Sequence, residues 1–225
     1  MDVLASMQGL VRGSVDVMRR LAVGPQGDAK VSKFLPDFAQ LVAEGRVWRA
    51  QETTATASVV ALPTTAGLFT IGNNEPDNGL WYVGIAAYAY NAANAAAIDN
   101  YSLVGCLSQL PALTGGIDVT MAQDLAKTTV KSMSGTAGGG YNGKAILDTG
   151  VTITDDRFFP LGAGSGSTAV ASGTGGAAVF SWLNGLVVLP PKTLLSMVST
   201  ATSTSNTTTK GFIWAEVPRS WLLGS

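Results

Sequence analysis

The sequence contains no histidine and a single cysteine in 225 residues. Without histidine, neither a Ser–His–Asp triad nor a Cys–His pair can be built from this chain alone. Imidazole zinc sites are excluded too, and one thiol cannot make a cysteine-only site. A histidine pH switch is absent for the same reason. Cys106 has no partner for an intramolecular disulfide. It lies in the run Leu103-Val104-Gly105-Cys106-Leu107, where it reads as a small buried hydrophobe.

Charge is the second shortage. Charged residues make up 13% of the chain, against about 25% in ordinary soluble proteins. The net charge is −1, from 14 Lys+Arg and 15 Asp+Glu. That balance argues against nucleic acid as a partner, which calls for a basic surface. Long apolar runs are missing as well: the longest are about ten residues, where a membrane helix needs roughly twenty. The start, Met1-Asp2-Val3-Leu4, lacks the basic region of a secretory signal, and none is expected. Gly, Ala, Ser and Thr fill the place of charge. A positive mean hydropathy and five tryptophans still point to a folded chain.

The charge that is present is unevenly placed. Seven of the 14 basic residues precede residue 50: Arg12, Arg19, Arg20, Lys30, Lys33, Arg46 and Arg49. From Ala50 to Ala126 there is no Lys or Arg, and between Arg157 and Ala215 there is no acid. The chain therefore divides into a charged head and a weakly charged body.

The head, residues 1–45, reads as a helical arm. Val3, Leu4, Met7, Leu10, Val11, Val15, Met18 and Leu21 recur at three- and four-residue spacing, one apolar stripe. Gly24-Pro25-Gln26-Gly27 ends it. A second short helix follows, with Ser32 as N-cap and Pro36 in its first turn. Its apolar face is Phe34, Leu35, Phe38, Leu41 and Val42, and Gly45 closes it.

The body, residues 46–225, reads as β. Strands are expected near 45–51, 57–62, 68–71, 80–90, 101–110, 127–133, 144–147, 151–154, 169–172, 177–183, 186–189, 194–200 and 212–217. Leu80–Tyr90 has the composition of a strand buried on both faces. Residues 91–99 read as ambiguous between loop and helix. Gly138-Gly139-Gly140, Gly162-Ala163-Gly164-Ser165-Gly166 and Gly173-Thr174-Gly175-Gly176 read as links. Ala201–Lys210 reads as a hairpin tip, part of which can join the ladder through its threonines. Many short strands with frequent turns define a mainly β chain, a sandwich or a barrel, with a short N-terminal helical arm.

Chemistry-bearing motifs are sparse. Gly138–Lys144 lacks phosphate-loop spacing and has Ala145 at the hydroxyl position. Asp155-Asp156 and the cluster Asn74, Glu75, Asp77, Asn78 could offer oxygen ligands or acid–base pairs, but lack the spacing of a calcium loop. A solvated Asx-rich turn explains the second cluster better. No catalytic, metal or cofactor site is expected. Trp48, Trp81, Trp182, Trp214 and Trp221 could form a carbohydrate platform; most lie in apolar strands and read as core, with Trp221 the exception. Trp221-Leu222-Leu223 reads as exposed apolar surface suited to an oligomer contact.

One stretch carries a resemblance. Gly185-Leu186-Val187-Val188-Leu189-Pro190-Pro191-Lys192-Thr193-Leu194-Leu195-Ser196-Met197-Val198 leads into the Thr-rich tip and then Gly211-Phe212-Ile213-Trp214-Ala215-Glu216-Val217-Pro218. Strand, Pro-Pro turn, strand, polar tip and closing strand together resemble a hairpin of tailed-phage virion proteins. The resemblance implies an antiparallel β-sandwich, jelly-roll-like or of a related type, that decorates heads or builds fibres and spikes. It implies a non-catalytic homo-oligomer, a trimer, located in the virion and assembled in host cytoplasm. Partners would be further copies and the major capsid protein or other virion proteins, with neither nucleic acid nor membrane. The head would then be an anchor, with Leu4, Met7, Leu10, Val11, Arg12, Arg19, Arg20, Phe34 and Phe38 as assembly contacts, joined by Trp221 and Leu222. Two other readings stand beside it. A module binding a receptor or host-surface glycan would use the Gly-rich links, the Thr-rich tip and loop aromatics such as Tyr141. A carboxylate hydrolase would use Glu75, Asp77, Asp155 and Asp156.

Overall fold

The structure is a computed structural model, and it describes residues 22–23, 29–30, 38–93, 98–109, 130–134, 141, 143–149, 151–153, 157–167 and 178–223. The chain falls into two compact units, Met1–Ala39 and Gln40–Ser225. In the first, β1 (Ala22–Val23) pairs antiparallel with β2 (Ala29–Lys30). The Gly24–Gly27 segment, expected to end a helix, lies outside the described residues. Helix α1 (Ala39–Ala43) begins only after Phe38. Phe38 has φ 66°, a left-handed conformation that no helix runs through, so it does not lie on the expected helical face. Gly45 closes α1 as expected, at φ 72°. Its N–H donates to Val42 O at 3.0 Å, and that of Arg46 to Leu41 O at 2.9 Å. These two bonds make a Schellman motif.

The second unit is a sandwich. Its eight principal strands, in chain order, are β3 (Val47–Gln51), β6 (Phe69–Asn73), β7 (Trp81–Ala93), β8 (Ile98–Gln109), β12 (Phe158–Ser167), β13 (Ala178–Trp182), β15 (Thr193–Ala201) and β16 (Thr207–Val217). The first pairs with the last, the second with the seventh, the third with the sixth and the fourth with the fifth, all antiparallel. Pairing of β16 with β7 and of β15 with β8 then completes two sheets. That nesting is the jelly roll. Short strands extend it: β4 (Thr56–Ala57), β9 (Lys131–Ser132) and β14 (Val188–Leu189) on one sheet, β10 (Ala145–Asp148) on the other. A separate ladder joins β5 (Ala66–Gly67) to β11 (Val151–Thr152).

Inner faces meet through Phe69, Ile71, Leu103, Leu195 and Met197 from one sheet and Ala50, Ala87, Phe212 and Trp214 from the other. The outer face of the β8–β15 sheet carries a further cluster, Val104, Cys106 and Val198 with Ile153, against Val59, Leu68 and Phe158. Cys106 is fully buried there, as its apolar run implies.

Three expectations need correction. Ala57–Leu62 is not a strand: only Thr56–Ala57 pairs, with a single bridge at Val59. The ambiguous 91–99 segment is partly strand, because β7 runs to Ala93 and β8 starts at Ile98. Gly162–Gly166 is the body of β12, not a link. Its glycines mislead because they serve an approach rather than a turn. A Cβ on Gly162 would fall 2.5 Å from Val179 Cγ1, and one on Gly164 would fall 2.7 Å from Val179 Cγ2. Here the two sheets close on each other, and only glycine lets β12 come so near β13. The expected strand at 169–172 lies outside the described residues. The Thr-rich tip divides as expected: Thr207–Lys210 joins the ladder, leaving 202–206 as the turn. No described helix is long and apolar enough to cross a membrane.

Candidate functional site

The anchor residues Leu4, Met7, Leu10, Val11, Arg12, Arg19, Arg20 and Phe34 lie outside the described residues, as do Asp155, Asp156 and Gly138–Gly140. Trp221 and Leu222 are exposed on α2 (Arg219–Leu223), with the Arg46 guanidinium 5.0 Å from the Trp221 ring centre. The 74–78 cluster is a structural turn. Asn73 Oδ1 accepts the Glu75 N–H at 3.0 Å, and Lys192 Nζ donates to Asn74 Oδ1 at 2.8 Å. Among the described residues, no group of three metal-ligating side chains converges.

Tyr141 is no recognition aromatic. It is buried, edge-on to Trp48 and Trp214, and its hydroxyl donates to Glu216, which also accepts the Trp214 Nε1–H at 3.2 Å. Burial, opposed by those hydrogen bonds, pushes the Glu216 carboxyl above its usual range. Since the folded state then holds this proton more tightly than the unfolded chain, stability falls as pH rises above about 4.5, the ordinary carboxylate value. Glu216→Gln keeps an acceptor for both donors. It is expected to fold normally and to flatten the decline in urea-midpoint stability between pH 4 and 7.

The exposed chemistry lies elsewhere, on the outer face of the β7–β16 sheet. Strand β13 reads Ala-Val-Phe-Ser-Trp. Its alternation buries Val179 and turns Phe180 and Trp182 outward, 49% and 67% exposed. The register sets Phe180 beside Tyr88, Ala178 beside Tyr90, and Trp182 beside Ala86. Tyr90 is 47% exposed. Phe180 stacks on Tyr88 with centroids 6.3 Å apart and meets Trp182 edge-on at 5.0 Å, while Tyr88 meets Tyr90 at 5.5 Å. Trp182, grouped with core tryptophans on its apolar neighbours, is therefore more exposed than Trp221. Its period-two offset from Phe180, opposite to Val179, was the signal in the sequence.

Tyr88 owes its place to a glycine. Gly211 is its cross-strand partner, and a Cβ there would fall inside the Tyr88 ring. Gly211→Ala is expected to displace that ring and cost about 1–3 kcal/mol by overpacking. Near-UV circular dichroism reports the broken stack, and thermal unfolding reports the cost. The Tyr88 hydroxyl reaches Gln51 Oε1 at 3.4 Å and the Arg49 side chain. Burial raises its pKa, and the nearby Arg49 opposes that rise.

One register row crosses the sheet: Trp182, Ala86, Ile213, Arg49 and Lys131. Arg49 and Lys131 are exposed. The five strands of this row, β13, β7, β16, β3 and β9, contain one acid, and that is the buried Glu216. The outward face thus joins exposed aromatics to two cations. A separate open cleft of about 600 Å³ lies on the other sheet, lined by Val60, Asn100, Ser102, Ser165, Thr200 and Thr202 among others. It has hydroxyls and amides but no charged side chain, and its one titratable group is the Tyr101 phenol, whose pKa burial raises.

The fold and this face define a jelly-roll sandwich with an aromatic, cationic outer sheet. No family model and no curated protein matches the chain. Among solved structures, an Israeli acute paralysis virus particle heated to 63 degrees is 11% identical, over 97% of this chain and 86% of that one, at a TM-score of 0.23. The pentamer of that virus is 9% identical over the same shares, at 0.25. A virus-like particle of the prawn Macrobrachium rosenbergii nodavirus is 10% identical, over 77% and 93%, at 0.20. Scores this low define neither fold nor function, and the jelly roll stands on strand order alone.

Proposed function

We propose that the chain is a non-catalytic virion structural protein, decorating or cementing a phage capsid or building a virion projection through its N-terminal segment. The observation that carries this reading is the place of the Gly185–Pro218 hairpin. The stretch that resembles tailed-phage virion proteins supplies β15 and β16, the strands that each hold the middle of one sheet. It is the unit around which the jelly roll closes, so the resemblance falls on the fold's organising element. Homo-oligomers, trimers in this reading, would cover the free sheet edges. Cryo-electron microscopy of purified particles tests it. The expected result is density for this sandwich at symmetry-related sites; particles that lack the chain would sink the proposal.

A second reading, a module binding a host-surface glycan, is favoured by a specific observation: Tyr90, Phe180 and Trp182 share one exposed face with Arg49 and Lys131.

A further inference from the structure

We infer that the outer face of the β7–β16 sheet binds an acidic oligosaccharide, one sugar ring against Trp182 and Phe180 and the carboxylate of a sugar further along the chain toward Arg49. This rests on the glycan-binding reading and deepens it; the virion role is independent of it.

Trp182, Phe180 and Tyr90 offer their rings at the β13 edge of the sheet. A pyranose presents a face of weakly positive C–H groups, which suits the negative face of an aromatic ring. The polar part of the ligand has equally definite partners. Arg49 lies on the same register row as Trp182, three strand spacings away, or about 14 Å. Lys131 follows it on the next strand. Neither cation is held by an ion pair to a described carboxylate. On the neighbouring row, Gln51, two residues along β3 from Arg49, and the Tyr88 hydroxyl that reaches it add hydrogen-bonding groups.

Charge decides the class of sugar. A neutral glycan would leave Arg49 and Lys131 unused, whereas a uronic acid chain laid along the row meets both. A planar guanidinium receives a carboxylate through paired hydrogen bonds. Single-stranded nucleic acid also combines bases with cations, but it needs a positive groove that follows many phosphates. Here two cations stand on an open sheet.

The test is isothermal titration of the full chain with oligogalacturonate and with its methyl ester, which has the same backbone without charge. Oligogalacturonate is expected to bind, and the ester about tenfold more weakly, as loss of one charge-assisted hydrogen bond implies. Trp182→Ala should lower affinity about tenfold or more for both. Arg49→Gln should lower it for the acid alone and remove the preference. Both positions are exposed, and unchanged thermal midpoints show that the variants fold. Equal binding of acid and ester overturns the acidic assignment while the glycan reading stands. Binding of neither overturns both. If oligothymidylate binds as tightly and with the same Trp182 dependence, the face is a general polyanion surface and the inference is wrong. If Trp182→Ala instead dissociates an oligomer and leaves sugar binding intact, the face is a protein contact, and the inference is equally wrong.

Discussion

Lys210→Met is expected to destabilise the sandwich by about 3–5 kcal/mol, the cost of leaving a buried charge without its partner. For a chain of this size that is a fall of roughly 6–20 °C in the thermal midpoint. Lys210 and Glu52 form an ion pair at 3.3 Å with both side chains fully buried. Glu52 Oε2 also accepts the Lys210 backbone N–H at 2.6 Å, and Thr56 Oγ1 donates to Oε1 at 3.0 Å. Lys210 Nζ reaches Thr56 Oγ1 at 2.7 Å. Burial pulls the lysine down and pushes the carboxyl up, and each partner resists the other's shift. Without the ammonium, burial of Glu52 is opposed only by the hydrogen bonds from the backbone N–H of residue 210 and from Thr56, and its pKa rises further. The native state then binds a proton that the unfolded chain releases above about 4.5. The deficit of Lys210→Met should therefore grow as pH rises from 4 to 7. Adding Glu52→Gln removes the uncompensated charge but keeps an acceptor for the Lys210 N–H. The double variant should recover most of the loss, and its stability should vary less with pH. Urea unfolding of the wild type, Lys210→Met and the double variant checks this: a double variant no better than Lys210→Met would show that the pair acts through packing alone.

That pair marks where the sequence was hard to read. The β class of the body was legible, because turn residues punctuate it and Leu80–Tyr90 is apolar throughout. The jelly roll itself rested on the hairpin resemblance, and strand order bears it out. Lys210 looked like the polar end of a Thr-rich tip. Yet β16 alternates, and Asn206, Thr208 and Lys210 all point into the sandwich. Thr208 and Ser58 both bond to Ser199, and Ser58 also donates to Asn206 Oδ1. Composition cannot reveal such a buried polar end, because its partners Glu52 and Ser58 are about 150 residues away in the chain. Strand β12 was lost for the opposite reason: its glycines allow the close approach of β13, a contact invisible without the fold. The aromatic face was half visible. Phe180 and Trp182 alternate as outward residues do, but only the register with Tyr88, Tyr90 and Arg49 makes them a surface.

Deleting Met1–Ala39 is expected to leave the sandwich folded and to abolish its attachment to particles. The expectation of folding follows from where the fold begins. Gln40–Ser225 is compact in itself, and its first principal strand starts at Val47, entered from the Schellman closure at Gly45. The jelly-roll pairings all lie within it. A truncated chain should therefore unfold cooperatively, with far-ultraviolet circular dichroism typical of β structure. The expected loss of attachment follows from the head. Its apolar stripe, Leu4, Met7, Leu10 and Val11, and its cations Arg12, Arg19 and Arg20 suit a contact with another protein better than solvent. Burying even two of those apolar side chains contributes about 3–6 kcal/mol before ordering costs. Removing that contribution lowers affinity by about a hundredfold or more, enough to empty sites filled at ordinary concentrations. Sedimentation of particles with full-length or truncated chain measures the difference. Truncated protein that still decorates particles at full occupancy would refute the anchor and move the attachment to the sandwich, with exposed Trp221 and Leu222 as the next contact to remove. A truncated chain that fails to fold would instead show that the head covers one end of the sandwich, and the anchor role would fall with it.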